Sequence, residues 1–254
     1  MTSAPGDHVA VVIPALDEAG SIGGVLEAIA PEACGLPVEV IVVDDGSTDG
    51  TGEIARAGGA QVVVHAVNQG QGAAFRSGYV LARERGARYI VTLDADGQWD
   101  PADVPSVLAP VVAGEADFVL GSRVLGTAET DDGVRDLGVK VFSGLVRLLT
   151  GVKVTDTSSG LRAMRAEITA VVRQEQPQYQ SSELLIGAIA HGYRVAERPT
   201  VMHKRTAGQS KKGGNVFYGA RYARVVLRTW WRERRAARSR AAKSPAVAVQ
   251  RADG

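Results

Sequence analysis

Residues 89–101 read YIVTLDADGQWDP, and this stretch decides the fold. Its first five residues are mostly apolar and include three β-branched residues in a row, Ile90, Val91 and Thr92, which favours a buried strand. A polar loop follows at once, and after it Asp100 and Pro101 suit the N-cap and the first turn of a helix. A buried strand that leads through a polar loop into a helix is typical of α/β proteins.

The same unit recurs along the first half of the chain. Further apolar segments that we interpret as strands lie at 8–15, 38–43, 61–65 and 117–121. Helix-length segments lie between and after them at 20–30, 51–58, 71–86 and 101–113. Strands that are apolar on both faces belong in a parallel sheet that helices cover on either side. The sequence therefore predicts an α/β fold with a mostly parallel, Rossmann-like sheet.

After residue 122 the pattern changes from alternating strands and helices to mainly helices. A polar loop is predicted at 126–136, and helices at 137–150, 164–173 and 182–192. An extended piece at 194–202 precedes a basic, glycine-rich loop at 203–215 and a helix at 216–237. We expect a catalytic domain over 1–212, a basic amphipathic helix over 213–237 and a disordered tail over 238–254.

Composition limits the classes of protein to which the chain can belong. It has 254 residues, of which 45% are hydrophobic and 22% charged, as in ordinary globular proteins. Cys34 is the single cysteine, which excludes an internal disulfide and a cysteine-based zinc cluster. The polar N-terminus does not resemble a signal peptide, and no apolar run is long enough to span a membrane. These features favour a cytoplasmic protein.

Charge is distributed unevenly between the body of the chain and its C-terminal part. Residues 1–200 carry 15 Lys/Arg and 26 Asp/Glu, whereas residues 201–254 carry 14 Lys/Arg and 2 Asp/Glu. Arginines and the aromatic residues Trp230 and Trp231 alternate along the last helix, as in helices that lie on anionic membranes. A helix packed on the catalytic domain with a solvated basic face is the alternative. Nucleic acid is not expected as a partner, because no recognition module is present.

Polar side chains follow each predicted strand, at the edge of the sheet where open α/β proteins bind ligands. Asp94 and Asp96 alternate on an extended segment, so both carboxylates can face one hard cation such as Mg²⁺ or Mn²⁺. The alternative is a pair of solvated loop acids. Asp44 or Asp45 would accept a hydrogen bond from a nucleotide base, while the rest of residues 44–50 caps the next helix. The glycine-rich segment 68–72 fits a phosphate loop or simply a tight turn.

Six ordered motifs carry a resemblance to a known family. They are PALDEAGSI (14–22), VVDDGSTDGT (42–51), NQGQGAAFRSGY (68–79), TLDADGQWDP (92–101), GSR (121–123) and DTSSGLRAMR (156–165). The chain resembles family 2 glycosyltransferases of the GT-A fold, and within them the dolichol- or polyprenol-phosphate mannose synthase branch. The resemblance covers roughly residues 8–212.

The resemblance implies a donor site for a nucleoside-diphosphate sugar. Pro14, Glu18 and Asp45 would hold the nucleoside, with Glu18 on the ribose, and Arg123 would lie beside the donor. The family's metal site matches Asp94, Asp96 and Gln98.

The resemblance also assigns residues from the second half of the chain. Arg205, Ser210 and Lys211 match a late basic loop that closes on phosphates, and Glu183 matches an acid on the acceptor side. The usual arginine after the GSR motif is missing, and Lys140 or Arg135 is the candidate to replace it.

The implied reaction is inverting transfer of a sugar, mannose or glucose, from a GDP- or UDP-sugar to a polyprenyl phosphate. Asp96, Glu183 and Arg205 would be the catalytic residues, Mg²⁺ or Mn²⁺ the cofactor, and the cytoplasmic face of an anionic membrane a peripheral contact. The alternatives are transfer to a soluble hydroxyl acceptor and a non-catalytic protein that binds nucleotide sugars. A nucleotidyltransferase is disfavoured, because PALDEAG lacks the basic residues of its first loop.

Overall fold

The computed structural model describes residues 7–129, 133–176, 178–205 and 215–243. The strands are β1 (Val9–Ala15), β2 (Glu32–Ala33), β3 (Leu36–Asp44), β4 (Gln61–Val64), β5 (Tyr89–Thr92), β6 (Phe118–Ala128), β7 (Arg162–Arg165) and β8 (Val195–Met202). The helices are α1 (Ile22–Ala28), α2 (Thr51–Ala57), α3 (Gln71–Glu84), α4 (Val104–Val112), α5 (Gly133–Thr150), α6 (Ile168–Val171), α7 (Gln180–Ala190) and α8 (Asn215–Lys243). A single 3₁₀ turn, Pro101–Asp103, precedes α4.

One mixed sheet forms the centre of the molecule. Its strands lie in the order β4-β3-β1-β5-β7-β6-β8, and β2 forms a short antiparallel pair with β3. The neighbours β4, β3, β1 and β5 are parallel, whereas β7 runs antiparallel to both β5 and β6. The predicted α/β fold with a mostly parallel sheet is therefore confirmed.

Both faces of the sheet are buried, as the apolar strands predict. In β1, Val9, Val11 and Ile13 join a core with α1, α2 and α4, while Ala10 and Val12 join a second core on the other face. That second core contains apolar residues of α3, α5, α6, α7 and α8. Alternation along a strand sends successive side chains to opposite faces, so every residue of β1 is buried. The carboxyl ends of β1, β3 and β5 remain as a common open edge.

Two of the predicted segments in the second half of the chain are wrong. The helix predicted at 164–173 is instead the strand β7 followed by the short helix α6. The sequence of β7, RAMR, lacks β-branched residues, and its extended form depends on hydrogen bonding to β5 and β6. The loop predicted at 126–136 is shorter than expected, because β6 extends to Ala128 and α5 begins at Gly133.

Helix α8 packs on the second core through one face. Its buried residues include Tyr222, Val226 and Thr229, and it contacts α5 and α7. The helix continues to Lys243, so residues 238–243 of the expected tail are helical, while 244–254 lie outside the described residues. The domain boundary predicted at 212–213 also lies outside them. None of the helices in the described part of the chain combines the length and the hydropathy needed to span a bilayer.

Gly78 allows α3 to pack closely on the sheet. A Cβ atom at this position would overlap Cγ1 of Val12 and lie 3.2 Å from Cγ2 of Val43. Gly78→Ala should therefore lower the free energy of unfolding by about 1–3 kcal/mol, as overpacked cores do. The measurement is urea denaturation followed by circular dichroism.

Gly24→Ala is the matched control for this prediction. Gly24 is exposed in α1, and a Cβ there would have no neighbour within 4 Å. The alanine should stabilise the protein by roughly 0.5–1 kcal/mol through helix propensity. Equal effects of the two substitutions would contradict the close packing of α3.

Candidate active site

A cavity of about 450 Å³ lies at the carboxyl edge of the sheet. Residues of the loops that follow β1, β3 and β5 form one wall, and residues that precede β7 and α7 form a second wall beside it, with Arg162 and Tyr222. Seven of the residues predicted for the site line this cavity: Pro14, Glu18, Asp45, Asp94, Asp96, Gln98 and Arg205. The structure thus brings together residues that are up to 191 positions apart in the sequence.

Asp94 and Asp96 place two carboxylates in one partly buried position after β5. Asp96 is 7% exposed, and burial together with the charge of Asp94 raises the pKa of the Asp96 carboxyl to about 6. The backbone N–H of Gln98 donates to Asp96 Oδ1 at 3.0 Å and partly offsets this rise. Gln71 Nε2 donates to Asp94 Oδ1 at 3.4 Å. The pair has the charge and the oxygen atoms that attract a hard cation.

Arg205 supplies a positive charge to the same acids. Its Nη2 lies 2.6 Å from Asp96 Oδ2, and its Nη1 lies 3.5 Å from Glu18 Oε1. A guanidinium therefore occupies the position beside Asp96 that a bound cation would also favour. No group of three or more His, Cys, Asp or Glu residues with metal-site geometry occurs within the described ranges. The predicted metal set differs from such a group, because its third member, Gln98, is an amide.

Two loops beside the cavity hold each other through hydrogen bonds between backbone and side chains. Asp17 N donates to Ser47 Oγ at 2.9 Å, and Thr48 N donates in return to Asp17 Oδ1 at 2.9 Å. Glu18 N donates to Thr51 Oγ1 at 2.9 Å, which fixes the backbone of Glu18 at the cavity wall. The acidic DEAG and DDGSTDG motifs are therefore partly structural. Asp17, which has a φ of 48°, takes part in these hydrogen bonds through its backbone and its side chain. It does not line the cavity.

Asp45 organises the glycine-rich segment that follows β4. Its carboxylate accepts from Gln69 N at 3.0 Å and Gly70 N at 2.7 Å, and it lies 2.6 Å from His65 Nδ1. The other ring nitrogen of His65 lies 2.9 Å from Ser77 Oγ in α3. Segment 68–70 is thus the turn into α3 and also part of the cavity wall.

Three predicted site residues do not line the cavity. Asp44 is buried, and its carboxylate accepts from Ser47 N at 2.8 Å. Arg123 donates to both carboxylate oxygens of Asp156, at 2.7 and 2.9 Å, and its side chain does not line the cavity. Arg123 also contacts Ser158 and Trp99, which line the cavity, so the expectation that it lies beside the donor site stays a prediction.

Glu183 is the third of these residues, and its carboxylate is occupied by internal partners. It is fully buried and accepts from Glu175 N at 2.8 Å and Gln176 N at 3.0 Å. Arg232 of α8 donates to its other oxygen at 2.9 Å. These contacts make Glu183 an anchor between α7 and α8. Ser210 and Lys211 lie outside the described residues, and Lys140 is exposed on α5.

Sequence reasoning missed most of the second wall. The residues that form it are Ser158, Ser159, Gly160, Arg162, Gln178, Tyr179, Gln180, Ser181 and Tyr222. The motif DTSSGLRAMR contains four of them, and its presence among the six ordered motifs was the available signal. Tyr222 comes from α8, and its hydroxyl pairs with Ser182 Oγ and with Thr157 Oγ1, the latter at 2.8 Å.

The family can now be assigned by comparison with known proteins. The glycosyl transferase family 2 profile matches residues 10–172. The chain belongs to glycosyl transferase family 2. A dolichyl-phosphate hexose transferase of Haloferax volcanii is 36% identical over 230 residues, which are 89% of this chain and 97% of that protein. A polyprenol monophosphomannose synthase of Mycolicibacterium smegmatis is 32% identical over 226 residues, which are 84% of each chain.

Solved structures agree with this assignment. Glucosyl-3-phosphoglycerate synthase of Mycobacterium tuberculosis, in complex with Mn²⁺, UDP and glucosyl-3-phosphoglycerate, superposes with a TM-score of 0.68. The two chains are 25% identical, and the match covers 90% of this chain and 80% of that one. The protein is thus a glycosyltransferase with the GT-A fold, as the motifs predicted.

Gly160 allows the two walls of this glycosyltransferase site to approach each other. A Cβ atom at residue 160 would overlap the carboxylate of Asp94 and lie 2.6 Å from Trp99 Nε1. Gly160→Ala should therefore displace Asp94 and weaken Mn²⁺-dependent binding of UDP by at least about tenfold. Isothermal titration calorimetry measures this change.

The control is Gly144→Ala, because an added Cβ in that position of α5 meets nothing within 4 Å. Its nucleotide affinity should equal that of the wild type. If Gly160→Ala also binds Mn²⁺ and UDP normally, the close approach does not position Asp94.

Proposed function

We propose that the protein transfers a hexose, mannose or glucose, from a nucleoside-diphosphate sugar to a polyprenyl phosphate, with inversion at the sugar carbon. The observation that carries this proposal is the double role of α8. Its inner face supplies Tyr222 to the cavity wall, and its outer face exposes Leu227 and Trp231. The two relatives named above, a dolichyl-phosphate hexose transferase and a polyprenol monophosphomannose synthase, support the same acceptor class.

The donor would bind at the wall formed by the loops after β1, β3 and β5. Pro14, Glu18 and Asp45 would surround the nucleoside, and Asp94, Asp96 and Gln98 would hold a divalent cation. Burial and, after it, the charge of Asp94 raise the pKa of Asp96, and a guanidinium lies beside this carboxyl. Both observations support a cation site, because a buried carboxylate beside a second one is stabilised by positive charge. When bound, Mg²⁺ or Mn²⁺ neutralises charge on the diphosphate leaving group.

The second wall favours a phosphate acceptor. Among the described residues that line the cavity, the carboxylates are Glu18, Asp45, Asp94 and Asp96, all on the donor wall. A hydroxyl acceptor needs a general base near its oxygen, whereas a phosphate oxygen is already anionic. Since Glu183 is occupied by backbone N–H groups and Arg232, it is not available as that base.

The surface of α8 and α5 supports contact with an anionic membrane. Leu227 is 47% exposed and Trp231 57% exposed, and with Arg224 and Arg228 they line a shallow groove of about 640 Å³. The apolar residues Leu137, Val141 and Leu148 of α5 are also exposed. Apolar side chains bordered by arginines are typical of helices that lie at a bilayer surface.

A soluble acceptor is the second candidate. One solved neighbour, glucosyl-3-phosphoglycerate synthase, is described with phosphoglyceric acid and Mn²⁺ bound, and it covers 90% of this chain. Its acceptor is a small phosphorylated acid. This candidate uses the same donor wall and does not require the exposed face of α8.

A transfer assay separates the two candidates. Radiolabelled GDP-mannose, UDP-glucose and UDP-N-acetylglucosamine are offered with Mn²⁺ and with either a polyprenyl phosphate or 3-phosphoglycerate. We expect label to enter the organic phase with the polyprenyl phosphate. Label that appears only in 3-phosphoglycerate would establish the soluble acceptor instead.

Asp96→Asn should reduce this transfer by at least about 100-fold, because electrostatic stabilisation of the leaving group is lost. Asp100→Asn is the matched control, since Asp100 is more exposed and asparagine retains its capping of the next turn. Wild-type turnover by Asp96→Asn would remove Asp96 from the proposed metal site.

The double substitution Leu227→Gln and Trp231→Gln should weaken binding to vesicles of phosphatidylglycerol and phosphatidylcholine by at least about tenfold, because both side chains lose apolar contact with the bilayer. Vesicle sedimentation measures the bound fraction. The control is Val80→Gln, an exposed apolar residue of α3. Unchanged sedimentation of the double variant would refute the membrane contact through α8.

A further inference from the structure

Arg162 places a buried positive charge in the part of the cavity that residues around β7 and α7 line. It is the first residue of β7, where it pairs in register with Thr92 of β5 and Leu120 of β6. The residue is 1% exposed and lines the cavity. The antiparallel pairing of β7 fixes its backbone, and its guanidinium lies 5.4 Å from the centre of the Phe75 ring.

The guanidinium of Arg162 lacks the partners that a buried cation requires. Its Nε and Nη1 are buried and have no hydrogen-bond partner in the described part of the chain. No carboxylate within the described ranges forms an ion pair with it. A buried charge without a partner is costly, and an anionic ligand would remove that cost.

Two other buried or half-buried arginines of this protein pair with carboxylates. Arg123 forms a two-point contact with Asp156, and Arg232 pairs with Glu183 and Glu175. In both cases an internal carboxylate neutralises the guanidinium. Arg162 differs from them in facing a cavity.

A second polar group on the same wall is also unsatisfied. Gln180, at the start of α7, is 1% exposed, lines the cavity, and has no hydrogen-bond partner for its Oε1 among the residues described. Tyr222 lies on this wall too. Burial raises the pKa of its phenol group, and the positive charge of Arg162 opposes this rise. Unsatisfied polar groups of this kind are rare in native proteins and point to a ligand.

We propose that Arg162 binds the phosphate group of the sugar acceptor, an inference that rests on the proposed function. The ligand chemistry is a phosphate monoester, which the planar guanidinium can contact through two N–H groups. Its source is either a polyprenyl phosphate or a small soluble phosphate. Arg162 is a binding and positioning residue. With a polyprenyl phosphate, the anionic phosphate oxygen attacks the sugar carbon, and the bond from that carbon to the nucleoside diphosphate breaks as the diphosphate leaves.

The distribution of cations favours the acceptor over the donor. Among the described residues that line the cavity, the two cations are Arg162 and Arg205. Arg205 contacts Asp96 and Glu18 on the donor wall. Arg162 remains for a second anion, on the wall where the described residues supply no carboxylate.

The test compares Arg162→Gln and Arg162→Lys with the wild type. Arg165→Gln is the matched control, because Arg165 lies on the same strand but forms surface ion pairs with Asp117 and Glu167. Each protein is assayed for transfer to farnesyl phosphate, to 3-phosphoglycerate and to farnesol. Calorimetry with Mn²⁺ and the nucleotide of the active donor measures donor binding, and the melting temperature reports on the fold.

We expect Arg162→Gln to lower kcat/KM for the phosphate acceptor by about 10- to 100-fold, mainly through KM, as loss of a charge-assisted hydrogen bond does. Nucleotide affinity should change less than about twofold, because the donor wall is intact. Arg162→Lys should recover part of the loss, and Arg165→Gln should match the wild type. The melting temperature should not fall, since Arg162 has no internal ion partner to leave unpaired.

The assays with three different acceptors identify the source of the phosphate. They also separate the proposed role of Arg162 from the proposed function of the protein. Transfer to farnesyl phosphate identifies a lipid, and transfer to 3-phosphoglycerate identifies a soluble phosphate. If the wild type uses a phosphate acceptor but Arg162→Gln keeps its KM, only the role of Arg162 is overturned. The role of Arg162 is also overturned if Arg162→Gln lowers the affinity for the nucleotide as much as it lowers kcat/KM for the acceptor. If the wild type transfers only to acceptors without phosphate, both proposals fail.

If Arg162→Gln does not fold, acceptor binding is measured with Arg162→Lys. Farnesyl phosphate should raise the melting temperature of the wild type more than that of this variant. Equal thermal shifts would overturn the inference, because a lysine cannot reproduce the two-point contact of a guanidinium.

Discussion

Repulsion between carboxylates at one edge of the sheet is the constraint on which the site depends. The parallel strands β1, β3 and β5 end side by side, and the residues after them bring Glu18, Asp94 and Asp96 into one cavity. The pKa of Asp96 rises to about 6, because burial and Asp94 both disfavour its charge. Arg205 reduces this repulsion in the structure described here, and a cation that bridges donor and protein would do the same. Such a cation would add the positive charge that a diphosphate group attracts.

Several other carboxylates of the fold have hydrogen-bond or ion-pair partners inside the protein, whereas a second set of charged groups faces the cavity. Asp45 is held by His65 and backbone amides, Asp156 by Arg123, and Glu183 by Arg232. These paired groups fix the loops and helices around the cavity. The charged groups that face the cavity are Glu18 and Asp96, which share Arg205, together with Asp94 on one wall and Arg162 on the other. Internal pairing thus holds the walls of the site in place, and the charged groups that face the cavity are positioned to meet ligands of opposite charge.

The sequence predicted the first half of the fold because each strand there is apolar on both faces, as in Val9–Ala15. It failed at β7, since RAMR contains two arginines and owes its extended form to β5 and β6. Asp94 and Asp96 could be found from their position directly after an apolar strand. The internal contacts of Arg123 and Glu183 could not be predicted, because a sequence shows a charge but not its partner. Tyr222 could not be predicted either, because it lines the cavity only where α8 packs back against α5 and α7.

The geometry of α8 links the acceptor wall to the outer surface of the molecule. Tyr222 and Trp231 are nine residues apart, which places them on opposite sides of a helix and about 13.5 Å apart along its axis. The inner side is fixed by Tyr222 and by Arg232, whose contact with Glu183 joins α8 to α7. A helix is roughly 10 Å across with its side chains, so cavity and surface are separated by about one helix diameter. An acceptor with a phosphate in the cavity and an apolar chain at the surface would therefore need to pass only one helix.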